Sequence, residues 1–152
     1  MGPRFLYFVT VAGTALYLVP TGAHLFELPG KMALSPAEYM VVQRIYAGWQ
    51  LFGIAIGIAL LSALAQAAVA RADRKARVWP LMACLCLAAA LADFLVFTYP
   101  VNIQTHYWTV TPEAFEAARR QWEYSHAAAA LLTFFALIAA ILSAPDQRSQ
   151  RE

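Results

Sequence analysis

The chain has 152 residues, of which 61% are hydrophobic and 13% are charged, compared with about 45–50% and about 25% in soluble globular proteins. A soluble domain of this length cannot bury that much apolar surface, so the composition excludes soluble, disordered and disulfide-stapled chains. The formal net charge of +2 is too small to indicate a polyanion, so we expect no nucleic acid as a partner. The composition predicts an integral membrane protein in contact with the lipid bilayer.

Four continuous apolar stretches are long enough to cross a hydrocarbon core of about 30 Å, which takes about 20 helical residues. Only helices and closed barrels satisfy the backbone in lipid, and these stretches do not alternate, so each predicts a transmembrane helix. We predict one all-α domain over residues 1–152, a four-transmembrane-helix bundle made of two helical hairpins. The predicted helices cover approximately residues 5–27, 36–70, 78–101 and 112–144.

The second and fourth predicted helices carry similar start signals. Ser35-Pro36-Ala37-Glu38 forms a capping box with proline at the first helical position, and Thr111-Pro112-Glu113 repeats the cap and the proline. The two prolines lie 76 residues apart, which is half the chain. This spacing is consistent with two related hairpins, and shared capping rules explain it equally well without a repeat.

Positive charge is distributed unevenly between the two ends of the predicted bundle. The connector 71–77 carries four Lys or Arg residues, which is typical of a cytoplasmic loop. Arg4, Arg148 and Arg151 then lie on the same side, so we expect both termini in the cytoplasm of a bacterial cell with the chain in its inner membrane. The other four cations fall in the two outer, extracytoplasmic segments: Lys31, Arg44, Arg119 and Arg120.

Polar side chains collect near the outer ends of all four helices. An ionisable group at the middle of a membrane helix costs about 2.5–3.5 kcal/mol on insertion scales, so such groups are functional candidates by default. We predict that they surround one polar chamber that opens outward, and a purely structural network explains them as an alternative. The candidates from position alone are Tyr17, His24, Glu27, Arg44, Gln50, Asp93, Arg119, Arg120, Glu123 and His126.

The fourth helix has the most regular pattern of polar residues. Arg119, Glu123 and His126 follow spacings of four and three residues, which places them on one face. We expect Arg119 to pair with Glu123 along the helix, and Glu123 either to orient the imidazole of His126 or to bind a group across the bundle. Asp93 has no cation nearby on its own helix, so it requires an arginine or a histidine from another helix.

Two histidines indicate a metal centre as one alternative. His24 and His126 lie on different helices, and imidazoles on facing helices can ligate haem, copper or iron. A di-iron bundle requires two Glu-x-x-His motifs, and this sequence has one, at Glu123 and His126. The sequence leaves open whether the protein uses no cofactor or one of these metals.

The residues around the fourth helix resemble a known family. The segments Tyr99-Pro-Val-Asn102-Ile and Arg119-Arg120-Gln-Trp122-Glu123-Tyr-Ser-His126 are similar to a pattern in small four-helix membrane proteins that include the anthrone oxygenases of polyketide pathways. The segment Gly22-Ala-His24-Leu-Phe-Glu27-Leu-Pro29 resembles the end of the first helix in a bacterial subgroup. The family often has a further arginine soon after the histidine, where this chain has Ala127–Ala130.

The resemblance implies an oxygenase that acts on an electron-rich tricyclic phenol with dioxygen and no evident cofactor. Such chemistry requires a base, here His126 or Glu123, and a cation that holds the developing anion, here Arg119 or Arg120. The positions carried over by the resemblance are Asn102, Arg120, Trp122, Glu123 and His126.

Three functions stay open on the sequence alone. The first is an oxygenase-like enzyme that acts on a lipophilic aromatic or quinone-like molecule. The second is a non-enzymatic membrane module that binds a lipid, another small molecule or a partner subunit. The third is a haem or copper protein in electron transfer. The sequence predicts neither the oligomeric state nor the substrate.

Overall fold

A computed structural model describes residues 2–145, which form helices joined by turns, with no strand in this range. Four helical segments are long and apolar enough to cross a membrane: Pro3–Ala33, Trp49–Val69, Arg74–Gln104 and Phe115–Leu142. The predicted all-α fold with four membrane-spanning helices is therefore confirmed. Arg148 and Arg151 lie outside the described residues, and the orientation of the termini stays a prediction.

Four of the helices form the bundle itself. Helix α1 (Pro3–Ala33) packs against α3 (Phe52–Val69) and α6 (Phe115–Leu142). Helix α4 (Arg74–Asp93) packs against the same two, so α1 and α4 lie at opposite corners. The elements in chain order are α1 (Pro3–Ala33), α2 (Pro36–Val42), two 3₁₀ turns (Gln43–Tyr46 and Trp49–Leu51), α3 (Phe52–Val69), α4 (Arg74–Asp93), a π turn (Phe94–Thr98), α5 (Tyr99–Gln104) and α6 (Phe115–Leu142).

Small residues fill the centre of the bundle, and larger apolar residues point outward. Ala59 and Ala136 are completely buried, whereas Phe26 and Leu61 are 87% and 68% exposed. A Cβ atom added to Gly13 of α1 would lie only 3.1 Å from the Cβ of Ala59 in α3. Helices in lipid associate through such close packing because the lipid tails are as apolar as leucine. The outer surface is thus suited to contact with a bilayer.

The first helix is longer than the sequence predicts. Instead of ending near residue 27, α1 continues through Pro29 to Ala33. A proline inside a helix removes one hydrogen bond and clashes with an earlier carbonyl, yet membrane helices tolerate it where neighbouring groups satisfy the freed backbone. The additional turns carry Lys31 on the same helix as His24 and Glu27.

The second predicted helix, 36–70, is interrupted. Its capping box forms as expected, with the Ser35 N–H donating to Glu38 at 2.8 Å, and the hydrogen bonds from Ser35 lower the pKa of Glu38. The α-helix ends at Val42 and continues as a 3₁₀ turn to Tyr46. The chain then breaks at Ala47 and Gly48, where Gly48 has a φ of +89° that glycine adopts without a steric penalty. The prediction of one continuous helix over 36–70 is therefore wrong in its middle. The membrane-spanning helix α3 begins only at Phe52.

The third and fourth predicted helices, 78–101 and 112–144, also differ from their observed limits. The third corresponds to α4, the π turn at Phe94–Thr98 and α5, and continues past residue 101 to Gln104. Pro100 follows that turn, and its missing N–H and bulky ring favour the wider helical turn. The fourth begins at Phe115 rather than at residue 112, and Ala114 provides no side-chain cap.

Candidate functional site

A cavity of about 650 Å³ lies at the end of the bundle where α1 leads into α2 and α5 leads towards α6. We call this the cavity end. The interruption before α3 leaves space there that a continuous helix would fill. The aromatic residues that line the cavity are Tyr17, Tyr46, Trp49, Phe52, Phe94, Tyr99, Tyr107, Trp108 and Trp122. The walls are therefore suited to flat, apolar molecules.

The cavity brings together about half of the residues selected from the sequence. Those that line it are Tyr17, His24, Arg44, Gln50, Asn102, Trp122 and His126. Those that do not are Glu27, Asp93, Arg119, Arg120 and Glu123. The functional roles of both groups stay predictions, but only the first group is placed to touch a molecule in the cavity.

His126 has one ring nitrogen engaged and one available. Its Nδ1 lies 2.9 Å from the backbone carbonyl of Trp122, one turn earlier in α6. A carbonyl oxygen only accepts, so Nδ1 carries the proton and Nε2 carries a lone pair. The expectation that Glu123 orients this imidazole is wrong, because the helix backbone holds it instead. His126 therefore presents a proton acceptor to the cavity.

His24 lies directly against His126. The ring centroids are 4.3 Å apart in an edge-to-face arrangement, and His24 also contacts Trp122 at 5.0 Å. The side chain of His24 is 4% exposed, and its Nδ1 lies 3.0 Å from Nζ of Lys31. The two histidines thus meet in the cavity wall, as expected, although they come from different helices.

A buried ion pair links α1 to α6 behind the histidines. Lys31 is 4% exposed, and its Nζ lies 2.9 Å from a carboxylate oxygen of Glu123, which is completely buried. The other oxygen of Glu123 accepts from the hydroxyl of Tyr39 at 2.8 Å. Glu27, half-buried, lies 3.6 Å from the same ammonium group. Glu123 therefore binds across the bundle to Lys31, which is one of its two expected roles, and the predicted Arg119–Glu123 pair is wrong.

Arg119 and Arg120 lie away from the cavity. Arg119 is buried and bonded to Glu116 at 2.7 Å and to the backbone carbonyl of Leu34 at 2.8 Å. Its guanidinium also lies over the ring of Tyr39, 5.6 Å from the centroid. Arg120 is exposed. Neither arginine is placed to hold an anion inside the cavity as the structure stands.

Asp93 does not have the cationic partner that the sequence predicts for it. Its side chain is half-buried, and its Oδ2 has no hydrogen-bond partner among residues 2–145. It lies at the end of α4, immediately before the π turn, and does not line the cavity. Asp93 therefore lies outside the lining, and its predicted place in one polar network with the histidines stays a prediction.

A strained loop forms one rim of the cavity. His106, Tyr107 and Trp108 have φ values of +48°, +56° and +63°, a left-handed conformation that costs roughly 1–2 kcal/mol per non-glycine residue. The loop is held by the Thr105 hydroxyl, which accepts from the N–H of Trp108 at 3.0 Å, and by Asn102, whose carbonyl accepts from the N–H of Tyr107. This restraint positions the indole of Trp108 in the wall.

Two buried donors in the lining lack partners. Nε2 of Gln43 and Nε1 of Trp108 have no hydrogen-bond partner within the described part of the chain, and both side chains are at most 5% exposed. An indole nitrogen only donates, so Trp108 requires an acceptor. By contrast, Nε1 of Trp122 donates to Oδ1 of Asn102 at 2.8 Å. Unpaired buried donors are rare, and because both nitrogens lie beneath the cavity surface, a ligand in the cavity does not reach them.

Two tyrosines outside the membrane-spanning segments connect the cluster to α2. Burial raises the pKa of Tyr39, and the adjacent Glu123 carboxylate raises it further. Burial also raises the pKa of Tyr46, which donates to Glu27. Both phenols therefore act as hydrogen-bond donors to carboxylates, Tyr39 to the buried Glu123 and Tyr46 to the half-buried Glu27. The sequence selected neither tyrosine.

The arrangement of ligating groups bears on the metal alternative. Within residues 2–145, no group of three or more His, Cys, Asp or Glu side chains is placed to hold a metal ion. His24 and His126 are in van der Waals contact, so a haem plane does not fit between them. Whether the protein uses no cofactor or a metal stays a prediction.

Sequence reasoning missed Lys31, Gln43 and Trp108 as site residues. Lys31 follows His24 by seven residues and Glu27 by four, the spacing of one helical face. That signal was present, but it applies only if the helix continues past Pro29. Trp108 lies in a loop, where no periodicity indicates which residues turn inward.

Comparison of the chain with protein families, curated proteins and solved structures found no match. The resemblance to the family of the anthrone oxygenases therefore stays a prediction. The function has to be argued from the geometry of the cavity.

Proposed function

We propose that this protein binds a lipophilic aromatic molecule with phenolic or quinone oxygens in the cavity, and that His126 accepts the phenolic proton. The observation that carries the proposal is His126 in the wall of an aromatic cavity, with its Nδ1–H engaged by a backbone carbonyl and its Nε2 left with a lone pair. A planar phenol would stack on the walls and donate its hydroxyl to His126.

The size and the opening of the cavity support such a ligand. About 650 Å³ falls within the range of about 300–1,000 Å³ that accommodates drug-sized molecules. Arg44, Ala47, Gly48 and Gln50 line the cavity and are also exposed. The interruption between α2 and α3 therefore provides the opening, and a lipophilic ligand can enter there from the bilayer interface.

The resemblance to anthrone oxygenases extends this to an oxygenase-like reaction. The O–H bond of the phenol, which for an anthrone is its enol form, breaks as an N–H bond forms at Nε2 of His126, and the anion adds dioxygen at its electron-rich carbon. His126 returns the proton to the peroxide, and cleavage of the O–O bond with loss of the hydrogen on that carbon gives the new carbonyl and water. For an anthrone the balance is one dioxygen consumed, with one quinone and one water formed. Removing the base from such a reaction typically lowers the rate by about 10²–10⁴-fold.

The membrane orientation is part of the proposal. With the basic connector 71–77 in the cytoplasm, the cavity end faces the extracytoplasmic side of a bacterial inner membrane. The connector lies between α3 and α4, at the opposite end of the bundle from the cavity.

Binding and turnover test the proposal separately. Isothermal titration calorimetry with 1-naphthol in detergent measures binding, and oxygen consumption with 1,8-dihydroxyanthrone measures turnover. We expect His126→Ala to weaken naphthol binding roughly 10-fold or more, as for the loss of one buried hydrogen bond, and to abolish oxygen consumption above the uncatalysed rate. Tyr124→Ala is the matched control, because Tyr124 lies on the same helix as His126 but is exposed and outside the lining. Equal binding by both variants would contradict the proposal.

One observation favours the second candidate, a binding module without catalysis. The charged residues that the resemblance assigns to catalysis are paired in the protein or lie on its surface, and they do not line the cavity. Binding of naphthol that depends on His126, without oxygen consumption, would establish the binding module and exclude the oxygenase.

A further inference from the structure

The hydrogen bond between Lys31 and His24 determines where the proton of His24 lies. Nζ of Lys31 is 3.0 Å from Nδ1 of His24. An ammonium group only donates, so Nδ1 must carry the lone pair and Nε2 must carry the hydrogen. His126 has the opposite arrangement, because its Nδ1–H donates to a backbone carbonyl. The two histidines that meet in the cavity wall are therefore complementary, one a donor and the other an acceptor.

The surroundings of Lys31 keep it in this position. Its ammonium group lies 2.9 Å from Glu123 and 3.6 Å from Glu27, and it faces the rings of Tyr46 and Trp122 at 5.0 and 5.1 Å from their centroids. Carboxylates from α1 and α6 hold the charge, and aromatic faces cover it. Since Lys31 does not line the cavity, it acts on a ligand through lining residues, by a hydrogen bond to His24 and by packing against the rings of Tyr46 and Trp122.

Without Lys31, a different group would control His24. A carboxylate oxygen of Glu27 lies 3.9 Å from the same Nδ1, and a carboxylate only accepts. With the ammonium group absent, Glu27 becomes the nearest partner and favours a proton on Nδ1. The cavity would then contain two lone pairs, on His24 and His126, and no imidazole donor.

We infer that Lys31 is a positioning residue that holds His24 as a hydrogen-bond donor towards the cavity, so that the site accepts a ligand oxygen at His24 while His126 accepts a ligand proton. The ligand part of this inference rests on the proposed function. The proton position on His24 does not, because it follows from the contacts of the protein alone.

Two variants isolate the effect of Lys31 from the loss of the ion pair. The double variant Lys31→Met/Glu123→Gln leaves no uncompensated charge from the Lys31–Glu123 pair, and Glu123→Gln alone is its matched control with Lys31 present. We expect ¹⁵N NMR of the three histidines, assigned with a His24→Gln variant, to show the proton of His24 on Nε2 in the wild type and in the control. In the double variant we expect it on Nδ1. A proton that stays on Nε2 in the double variant would overturn the inference.

Two probes then test the consequence for binding. 2,3-Dimethyl-1,4-naphthoquinone only accepts hydrogen bonds, so its affinity depends on the donor at His24. 1-Naphthol can instead donate its hydroxyl to His126. We expect the double variant to lose roughly 10- to 100-fold in quinone affinity relative to Glu123→Gln, as for one missing hydrogen bond, and to keep its naphthol affinity. Equal losses for both probes would mean a merely structural role for Lys31 and would overturn the inference. If neither probe binds the wild type, the proposed function fails, and the NMR result still decides the role of Lys31.

Discussion

Replacing Lys31 with methionine leaves Glu123 without its cation at a position with no solvent exposure. Removing one partner of a buried ion pair costs about 3–5 kcal/mol, because the remaining charge stays desolvated. The hydroxyl of Tyr39 still donates to Glu123 but cannot replace a full charge. For a chain of this size about 1 kcal/mol corresponds to roughly 2–4 °C in Tm, so we expect Lys31→Met to lower Tm by roughly 6–20 °C.

Thermal unfolding in detergent, followed by circular dichroism, measures this effect. Adding Glu123→Gln to Lys31→Met should restore part of the stability, with an interaction energy of about 0.5–3 kcal/mol for residues in contact. Glu113→Gln is the control, since Glu113 is exposed and surface substitutions usually change stability by at most about 0.5 kcal/mol. A destabilisation by Lys31→Met no larger than that by Glu113→Gln would refute the desolvated ion pair.

Three further predictions concern the topology, the packing and the pH dependence. A cysteine at His106 should react with a membrane-impermeant thiol reagent added outside cells and one at Lys75 should not; the reverse result would invert the proposed orientation. Gly13→Ala should destabilise the bundle by about 1–3 kcal/mol through overpacking against α3, which a lower Tm would show. Gly57→Ala is the control and should have little effect, because nothing lies within 4 Å of its added Cβ. The raised pKa of Tyr39 means that the folded chain keeps a proton that the unfolded chain loses above about pH 10. Stability should therefore be complete below that pH and fall above it by about 1.4 kcal/mol per pH unit, and Tyr39→Phe should show a smaller alkaline loss.

The membrane-spanning architecture follows from the sequence because its causes are local. A run of about 20 apolar residues must form a helix in lipid, whatever its neighbours are. The capping box at Ser35 is equally local, since its two hydrogen bonds join residues three positions apart. The limits of the helices were less predictable. Pro29 and Gly48 both favour a helix end, but only Gly48 lies at one.

The pairing of the charged groups was decided by the tertiary structure. Glu123 has Arg119 four residues away on its own helix, and periodicity therefore predicts that pair. The packing of α1 against α6 brings Lys31 to 2.9 Å from Glu123 and leaves Arg119 to Glu116 and a backbone carbonyl. A buried carboxylate pairs with the cation that reaches it inside the core, and sequence spacing on one helix does not show what another helix delivers.

The histidines show the same division between local and tertiary causes. The sequence placed His24 and His126 at the same end of the bundle because the depth of a residue in a membrane helix follows from counting turns. The distance of 4.3 Å between their ring centroids depends on how α1 and α6 are rotated and how closely they pack. The partner of each Nδ1 depends on the same packing. Position along the membrane normal is thus determined by the order of residues, whereas the direction of each donor and acceptor is determined only when four helices pack around one cavity.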